Sequence, residues 1–276
     1  MIKQINWDKK VVEDYRERII IDPDSPILAF KASRDRYTLP SRYAGLSHLG
    51  SWQSEDALTW NVFRSLQKAG SLDIITNKLG IGQPRGLLLW TLAPETDDAK
   101  LQYVTGALIR RFDGIFRGQM TEPDAIILGT KAVAVIECKL SEPDEAPGHL
   151  WEGKLGSVKK RHPVYQKELP HLIKDGISDE EIVPVYQLVR MAFYANKLGA
   201  GFGIKPVVVS LANRRNWSRE IHKLDKAASD LWGMFCKMLG TDSPRCEAIF
   251  WQDLGELIQG KPLDALSVYL STHRCL

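Results

Sequence analysis

The chain has 276 residues, 44% of them hydrophobic and 26% charged, which are ordinary values for a folded globular protein and exclude wholesale disorder. A chain of this length suits one large α/β domain, or one domain with elaborations. The net charge is only +3, so any basic surface must come from local clustering of charge.

The first part of the chain is irregular and then becomes helical. Residues 1–50 are polar and rich in aromatic residues and prolines, which predicts an N-terminal extension that wraps the core. Ser54 is a good N-cap, and Leu58, Val62 and Leu66 lie on one stripe at helical spacing. We therefore predict a helix that ends at Gly70.

The segments that follow are less uniform. Residues 86–92 (GLLLWTL) predict a strand. Residues 99–112 have both helical spacing and a run of β-branched and aromatic residues, and we favour a strand that leads to Asp113.

A β-hairpin is the clearest prediction. Residues 123–128 (PDAIIL) form a short apolar run, Gly129-Thr130 forms a turn, and residues 131–140 (KAVAVIECKL) alternate and are rich in β-branched residues. Prolines and glycines then indicate a polar loop region over residues 143–180.

The last part of the chain alternates helices and strands. We predict helices over residues 182–198 and 219–239, and strands over residues 205–211 and 246–251. This order implies an α/β fold with a mixed central sheet flanked by helices. We expect two regions, the extension over residues 1–50 and a main domain over residues 51–276.

Three polar side chains converge at one end of the hairpin. Asp124 begins the first strand and Glu137 lies near the end of the second, so an antiparallel pairing brings both acids to the same end. Lys139 follows Glu137 by two residues and projects from the same face. Two carboxylates suit Mg²⁺, for which Mn²⁺ can substitute, and the carbonyl of Cys138 can complete the metal shell. Such a site activates water against a phosphodiester, and the lysine orients that water.

Pro123-Asp124 followed by Glu137-Cys138-Lys139 resembles the PD-(D/E)xK motif of the restriction endonuclease-like nuclease superfamily. The resemblance spans roughly residues 51–211 and implies a core of the order α-β-β-β-α-β. It also implies a metal-dependent nuclease in a restriction, defence or repair role.

The resemblance adds residues from the flanking helices. An acidic residue on the helix before the sheet faces the metals in many members, and Glu55 fits that position, although it also suits the helix dipole. A glutamine on the helix after the motif approaches the site in some branches, and Gln187 fits. Tyr194 lies farther from Gln187 than the tyrosine of those branches, and its role stays open.

Two other aspartates compete with Asp124. Asp144 repeats the Pro-Asp dipeptide but comes after the Glu-x-Lys in a loop. Asp113 replaces Asp124 only if the strand register differs, or assists from a neighbouring strand.

Basic residues cluster in three places. The stretch 154–162 is either a solvated loop or a phosphate-binding surface, with Trp151 and Tyr165 interleaved. Arg214-Arg215 can add to that surface. The extension carries a third group, Arg34, Arg36 and Arg42.

Several classes of protein are disfavoured. No apolar run reaches the roughly 20 residues that span a bilayer, and residues 1–10 contain no apolar signal core, so a cytoplasmic protein without a membrane partner is expected. Neither the four cysteines nor the six histidines have metal-ligand spacing.

The sequence therefore predicts a Mg²⁺-dependent nuclease, with DNA as the expected partner. Its expected catalytic residues are Glu55, Asp124, Glu137, Lys139 and Gln187. Dimerisation would let such a site cut both strands, but the sequence does not show it. The alternatives are a catalytically inactive nucleic-acid-binding module of the same fold, and a partner-binding protein with a coincidental motif.

Overall fold

The computed structural model describes residues 10–37, 42–114, 122–139, 155–217, 220–221, 226–259 and 263–272. The chain divides into two compact units. We call residues Met1–Ile75 with Trp251–Leu276 the terminal unit, and residues Thr76–Phe250 the sheet unit.

Within the residues that the structure describes, the strands belong to the sheet unit. They are β1 (Pro84–Leu89), β2 (Ala125–Gly129), β3 (Ala132–Cys138), β4 (Lys205–Ala212), β5 (Glu220–Ile221), β6 (Lys226–Ala227) and β7 (Arg245–Phe250).

The α-helices of the described residues are distributed over both units. They are α1 (Pro26–Arg34), α2 (Glu55–Lys68), α3 (Asp73–Lys78), α4 (Ala99–Phe112), α5 (Leu155–Glu168), α6 (Asp179–Ile182), α7 (Tyr186–Phe202), α8 (Arg214–Trp217), α9 (Ala228–Met238), α10 (Trp251–Ile258) and α11 (Asp264–Thr272).

Within the described residues, five strands form the central sheet in the order β1-β2-β3-β4-β7. Neighbouring strands from β1 to β3 are antiparallel, whereas β3, β4 and β7 run parallel. The predicted α/β class with a mixed sheet is confirmed. The elements α2, β1, β2, β3, α7 and β4 also follow one another in the expected α-β-β-β-α-β order, with further helices between them.

The centre of the sheet is buried on both faces. Every residue of β2 and β3 is buried, and α7 packs against β3 and β4. The apolar runs of both strands explain this burial, because a strand covered on two sides needs apolar residues at every position rather than at alternate ones. A charged residue inside β3 is therefore an exception that requires a partner.

Helix α2 organises the terminal unit. The hydroxyl of Ser54 accepts the N–H of Ala57 at 3.0 Å, so the predicted N-cap is present. The amide of Asn61 binds the N–H of Ile20 at 3.0 Å and the carbonyl of Arg18 at 2.8 Å. These bonds fasten an early segment of the chain along the buried face of α2.

Two sequence-based assignments before residue 180 were wrong. Residues 99–112 are helix α4 and not a strand, because Leu101, Thr105 and Ile109 are buried at helical spacing and this outweighs the β-branched content. Part of the expected loop 143–180 is helix α5, which contains Pro163. Residues 143–154, with Pro143-Asp144 and Trp151, lie outside the described part of the chain.

Two later helices also differ from expectation. The helix predicted from Ile182 to Leu198 begins only at Tyr186, because residues 183–185 around Pro184 form a 3-10 turn and proline has no N–H to continue the hydrogen-bond ladder. It then runs on to Phe202 and ends at Gly203, which has a φ of 67°. The long helix predicted over residues 219–239 is instead the short strands β5 and β6 followed by α9.

Crossing a bilayer would require a long apolar helix, and the described helices include none.

Candidate active site

The hairpin β2–β3 brings the first acidic pair together. The register pairs Ala125 with Ile136, so Asp124 and Glu137 flank the last pair of the ladder at the same end of the hairpin. A carboxylate oxygen of Asp124 accepts the backbone N–H of Cys138 at 2.7 Å. This bond fixes the Asp124 carboxylate beside the peptide that follows Glu137.

Asp124 is also held from its other side. The backbone N–H of Trp90, immediately after β1, donates to the carbonyl of Asp124 at 3.2 Å. The aspartate therefore lies between the ends of β1 and β3, and its position depends on two neighbouring strands of the sheet.

Glu137 is buried, with a side-chain exposure of 2%. The Nζ of Lys139 lies 2.7 Å from its Oε1, and the Nε2 of Gln187 donates to the same oxygen at 2.6 Å. A buried carboxylate is costly unless a cation and hydrogen-bond donors offset its desolvation. Lys139 and Gln187 supply both, so the structure brings together three of the residues that the sequence singles out.

The backbone fixes Lys139 as well. Its N–H donates to the carbonyl of Leu211 in β4 at 2.8 Å, and its side chain is 15% exposed. Gln187 reaches the site from the first turn of α7, the helix that covers β3 and β4. The ammonium group and the amide thus approach Glu137 from a strand end and from a helix start.

Glu55 occupies the first residue of α2 and belongs to the terminal unit. It is half-buried, next to the N-cap Ser54. Its assignment as a metal ligand stays a prediction, as does that of the Cys138 carbonyl.

The donor set of the hairpin suits a hard divalent cation. Two carboxylates are available, and Mg²⁺ is commonly bound through one or two carboxylates together with water and substrate phosphate. In the part of the chain that the structure describes, no three acidic, histidine or cysteine side chains are grouped so that they could hold a metal. The two carboxylates of the hairpin fit a Mg²⁺ ion that keeps several of its waters.

Asp113 neither replaces Asp124 in the hairpin nor lies on a neighbouring strand. It follows helix α4, not a strand, and is fully buried. The hydroxyl of Tyr165 donates to it at 2.7 Å, and the guanidinium of Arg190 donates at 3.0 Å. The Nε of Arg161 lies 3.8 Å away. We call these four residues the Asp113 cluster.

Electrostatic effects within the Asp113 cluster are strong. Burial raises the pKa of Tyr165, and the negative charge of Asp113 raises it further. Burial lowers the pKa of Arg190, but the attraction and hydrogen bond of Asp113, together with Tyr165 and Tyr186, raise it, and the net shift is upward. Because Arg190 lies one helical turn after Gln187, the cluster anchors the part of α7 that presents Gln187 to Glu137.

The predicted basic surface is only partly exposed. Arg161 joins the Asp113 cluster, and the ring of His162 lies 2.9 Å from Asp179, so both side chains face inward. Lys159 and Lys160 are exposed, as are Arg214 and Arg215 after β4. A nucleic-acid contact by these residues stays a prediction.

The arginines of the N-terminal region make local contacts. Arg34 lies 3.3 Å from Asp35, and Arg36 donates to the carbonyl of Gly45 at 2.8 Å. The guanidinium of Arg42 stacks over the ring of Tyr43.

Tyr194 is part of the core, at 2% exposure. Its ring meets Tyr165 and Phe193 edge-on, with centroids 6.4 and 5.4 Å away. The role that the sequence left open for Tyr194 is thus, in this structure, packing in the core of the sheet unit.

The sequence reasoning missed the partners of Asp113. Tyr165 is 52 residues and Arg190 is 77 residues away along the chain, and no local pattern joins them. The sequence did contain one signal for Arg190. It follows Gln187 by one helical turn, so both side chains lie on the same side of the predicted helix.

The mixed sheet, its flanking helices and the hairpin that carries the motif define a restriction endonuclease-like α/β protein. The chain belongs to the family described as Restriction Endonuclease associating with ARP, whose model matches residues 7–273. The resemblance drawn from the motif is thus confirmed at the level of the superfamily, and the family indicates a nuclease-like role. Neither a curated protein nor a solved structure matches the chain.

Proposed function

We propose that the protein is a Mg²⁺-dependent nuclease that hydrolyses phosphodiester bonds in DNA at the Asp124–Glu137 hairpin. The observation that carries the proposal is the buried carboxylate of Glu137, which contacts Lys139 at 2.7 Å and Gln187 at 2.6 Å beside Asp124. A structural protein gains little by keeping two acids and a lysine at the end of a buried strand, because each costs desolvation energy.

Asp124 and Glu137 would hold the cation, with Glu55 and the Cys138 carbonyl as further predicted ligands. The bound cation would polarise the phosphoryl oxygen and make a coordinated water more acidic. Mn²⁺ is expected to substitute, since it accepts the same oxygen ligands.

The side chains of the chain itself supply positioning and charge. Lys139 orients the attacking water and offsets the negative charge that develops on the phosphoryl oxygens. Gln187 keeps the Glu137 carboxylate in place through its hydrogen bond, so that neither side chain has to reorganise when the substrate arrives. The N–H of Cys138 does the same for Asp124.

Nicking of supercoiled plasmid DNA tests this proposal. The wild-type protein should nick with Mg²⁺ or Mn²⁺ and stop when the metal is chelated. Glu137→Gln and Lys139→Met should each lower the rate by on the order of a hundredfold or more, because each removes a charge that acts in the transition state.

Matched controls separate the site from general charge effects. Lys131→Met changes an exposed lysine just before the other end of β3, and Glu247→Gln changes a partly exposed acid in β7. Both should nick at close to the wild-type rate. If Glu137→Gln nicks as fast as wild type, the proposed site is wrong. Tight DNA binding without nicking under either metal would indicate an inactive binding module.

A further inference from the structure

The sheet unit contains a cavity of about 620 Å³ beside helix α4. One wall is the segment 91–96 that follows β1. The other is a single face of α4, formed mainly by Gln102, Tyr103, Gly106 and Arg110. A cavity of this size lies within the range of small-ligand sites, which is about 300–1,000 Å³.

The backbone at the mouth of this cavity is unusual. Leu89 and Leu92 exchange two hydrogen bonds of 2.9 Å around a two-residue turn. The turn residues Trp90 and Thr91 have φ values of 49° and 68°. Such a turn normally takes Asn-Gly, and a bulky residue followed by a β-branched one is a rare and strained choice. Strained backbone of this kind is concentrated at binding and catalytic sites.

The same turn is joined to the candidate active site. The N–H of Trp90 donates to the carbonyl of Asp124 at 3.2 Å. The wall of the cavity therefore begins directly beside the strand end that carries Asp124. This backbone contact is the observation that connects the cavity to the candidate active site.

The lining suits a flat, partly polar ring. Tyr103 is 73% exposed and offers an aromatic face at the edge of the cavity. Gly106 adds no side chain to this face of α4, and the guanidinium of Arg110 lies over it instead, with Nη1 3.3 Å from the position that a Cβ would take. Glu95 belongs to the opposite wall, and a carboxylate there would accept from an exocyclic amino group.

The cavity is also preformed. The side-chain oxygen of Gln102 accepts the N–H of Ala93 at 2.6 Å, which ties the face of α4 to the segment after β1. Ile109 adds an apolar surface at the base. A ring that enters this space would not have to order its walls first.

We propose that this cavity receives an unstacked nucleobase of the DNA, next to the phosphodiester bond that is cut. This inference rests on the proposed function, because it assigns the substrate of the Asp124–Glu137 site. Tyr103 stacks on the base, Arg110 neutralises the phosphate beside it, and Glu95 accepts from the amino group of adenine, cytosine or guanine. The ligand class is thus a base within a DNA strand, not a free nucleotide.

The test uses the full chain without a catalytic metal, so that cleavage does not enter the readout. Single-stranded and duplex oligonucleotides carry 2-aminopurine at successive positions, and its fluorescence changes when the base leaves the stack. The wild-type protein should alter the fluorescence of one position strongly. Gly106→Leu, which fills the cavity, should abolish that change and weaken DNA binding by about tenfold or more.

Three comparisons keep this test specific. Gly233→Leu introduces the same residue into helix α9, where a Cβ meets no atom within 4 Å, and should behave like wild type. Tyr103→Phe should keep the fluorescence change, whereas Tyr103→Ala should lose it. Arg110→Gln should weaken binding, whereas Arg111→Gln should weaken it less, because Arg111 points to Glu168 at 3.4 Å instead.

The outcomes are decisive in both directions. A wild-type response that Gly106→Leu removes and Gly233→Leu retains supports the inference. The inference is overturned if no position responds, if Gly106→Leu responds like wild type, or if only free 2-aminopurine deoxyribonucleotide binds. Failure of the proposed function looks different, since the base would then enter the cavity but Mg²⁺ would produce no nicking.

Discussion

The buried carboxylate of Asp113 joins side chains from two helices. It accepts hydrogen bonds from Tyr165 on α5 and Arg190 on α7, and Arg161 lies nearby. Because Arg190 is one turn from Gln187, this ion pair is a structural support for the hydrogen bond from Gln187 to Glu137. The candidate site thus depends on a charge that is not among the expected metal ligands.

Asp113→Asn should destabilise the protein strongly. It would leave the Arg190 guanidinium buried without its counter-charge, and breaking a buried pair in this way costs about 3–5 kcal/mol. Glu168→Gln is the matched control, because Glu168 pairs with Arg111 and Lys197 at a partly exposed position and should cost about 1 kcal/mol or less. Chemical denaturation measures both. Equal losses in the two variants would show that the cluster is not a buried ion pair.

Two tyrosines, one in the Asp113 cluster and one beside it, predict how the free energy of unfolding depends on alkaline pH. Burial raises the pKa values of Tyr165 and Tyr186 in the folded protein, with Asp113 adding to both. The two tyrosines contribute fully to the free energy of unfolding below their unfolded pKa of about 10. This contribution is lost as the pH rises above that pKa, because only the unfolded chain then releases these protons. Each buried tyrosine should make the free energy of unfolding fall by about 1.4 kcal/mol more per pH unit.

Denaturant titrations between pH 8 and 11 check this dependence. Tyr165→Phe should decline less steeply than wild type above pH 10, even though it also loses the hydrogen bond to Asp113 at all pH values. Parallel curves for the two proteins would mean that Tyr165 ionises as easily in the folded state as in the unfolded one.

Much of the candidate site could be predicted from individual residues. An apolar hairpin is interrupted by two acids and a lysine, and this made Asp124, Glu137 and Lys139 recognisable in the sequence. The structure brings all three to one end of the hairpin. The contact from Gln187 was expected only through the family resemblance. The Asp113 cluster and the turn at Trp90 were not predictable, because they depend on partners distant in sequence and on backbone angles.

At the scale of elements, the hairpin was predicted well and the segment before it poorly. Residues 99–112 combine helical spacing with β-branched residues. They form helix α4 because a helix buries one apolar face in the folded sheet unit. Helix α5 was missed because its sequence is polar and contains Pro163. Local propensity is a weak guide where tertiary burial selects the conformation.

Gly129 at the end of β2 shows how closely elements approach one another. A Cβ at this position would collide with the backbone carbonyl of Ile81, whose oxygen also accepts the N–H of Lys131 at 2.9 Å. Gly129→Ala should therefore destabilise the protein by about 1–3 kcal/mol, because neither backbone segment can move freely.

Gly233→Ala provides the opposite case. Its Cβ would meet no atom within 4 Å in helix α9. The substitution should raise the free energy of unfolding by up to about 1 kcal/mol, because alanine favours a helix over glycine. Thermal denaturation compares the two variants. The packing at Gly129 would be refuted if both alanine variants were equally stable.

At the scale of the whole molecule, the family and the fold agree. The match over residues 7–273 and the mixed sheet both indicate a restriction endonuclease-like protein. The sequence predicted the class of the fold but not the order β1-β2-β3-β4-β7, because the parallel pairs join strands that are far apart along the chain. The family and the fold do not by themselves establish catalysis. The proposed nuclease activity depends on one further feature, a cation held by the hairpin.

A crystal structure of the protein soaked with Mn²⁺ tests that feature most directly. We expect an anomalous-scattering peak in contact with the carboxylates of both Asp124 and Glu137, and no such peak in Asp124→Asn crystals treated in the same way. A wild-type peak bound only by other residues, or no peak at a millimolar Mn²⁺ concentration, would show that the hairpin does not hold the cation.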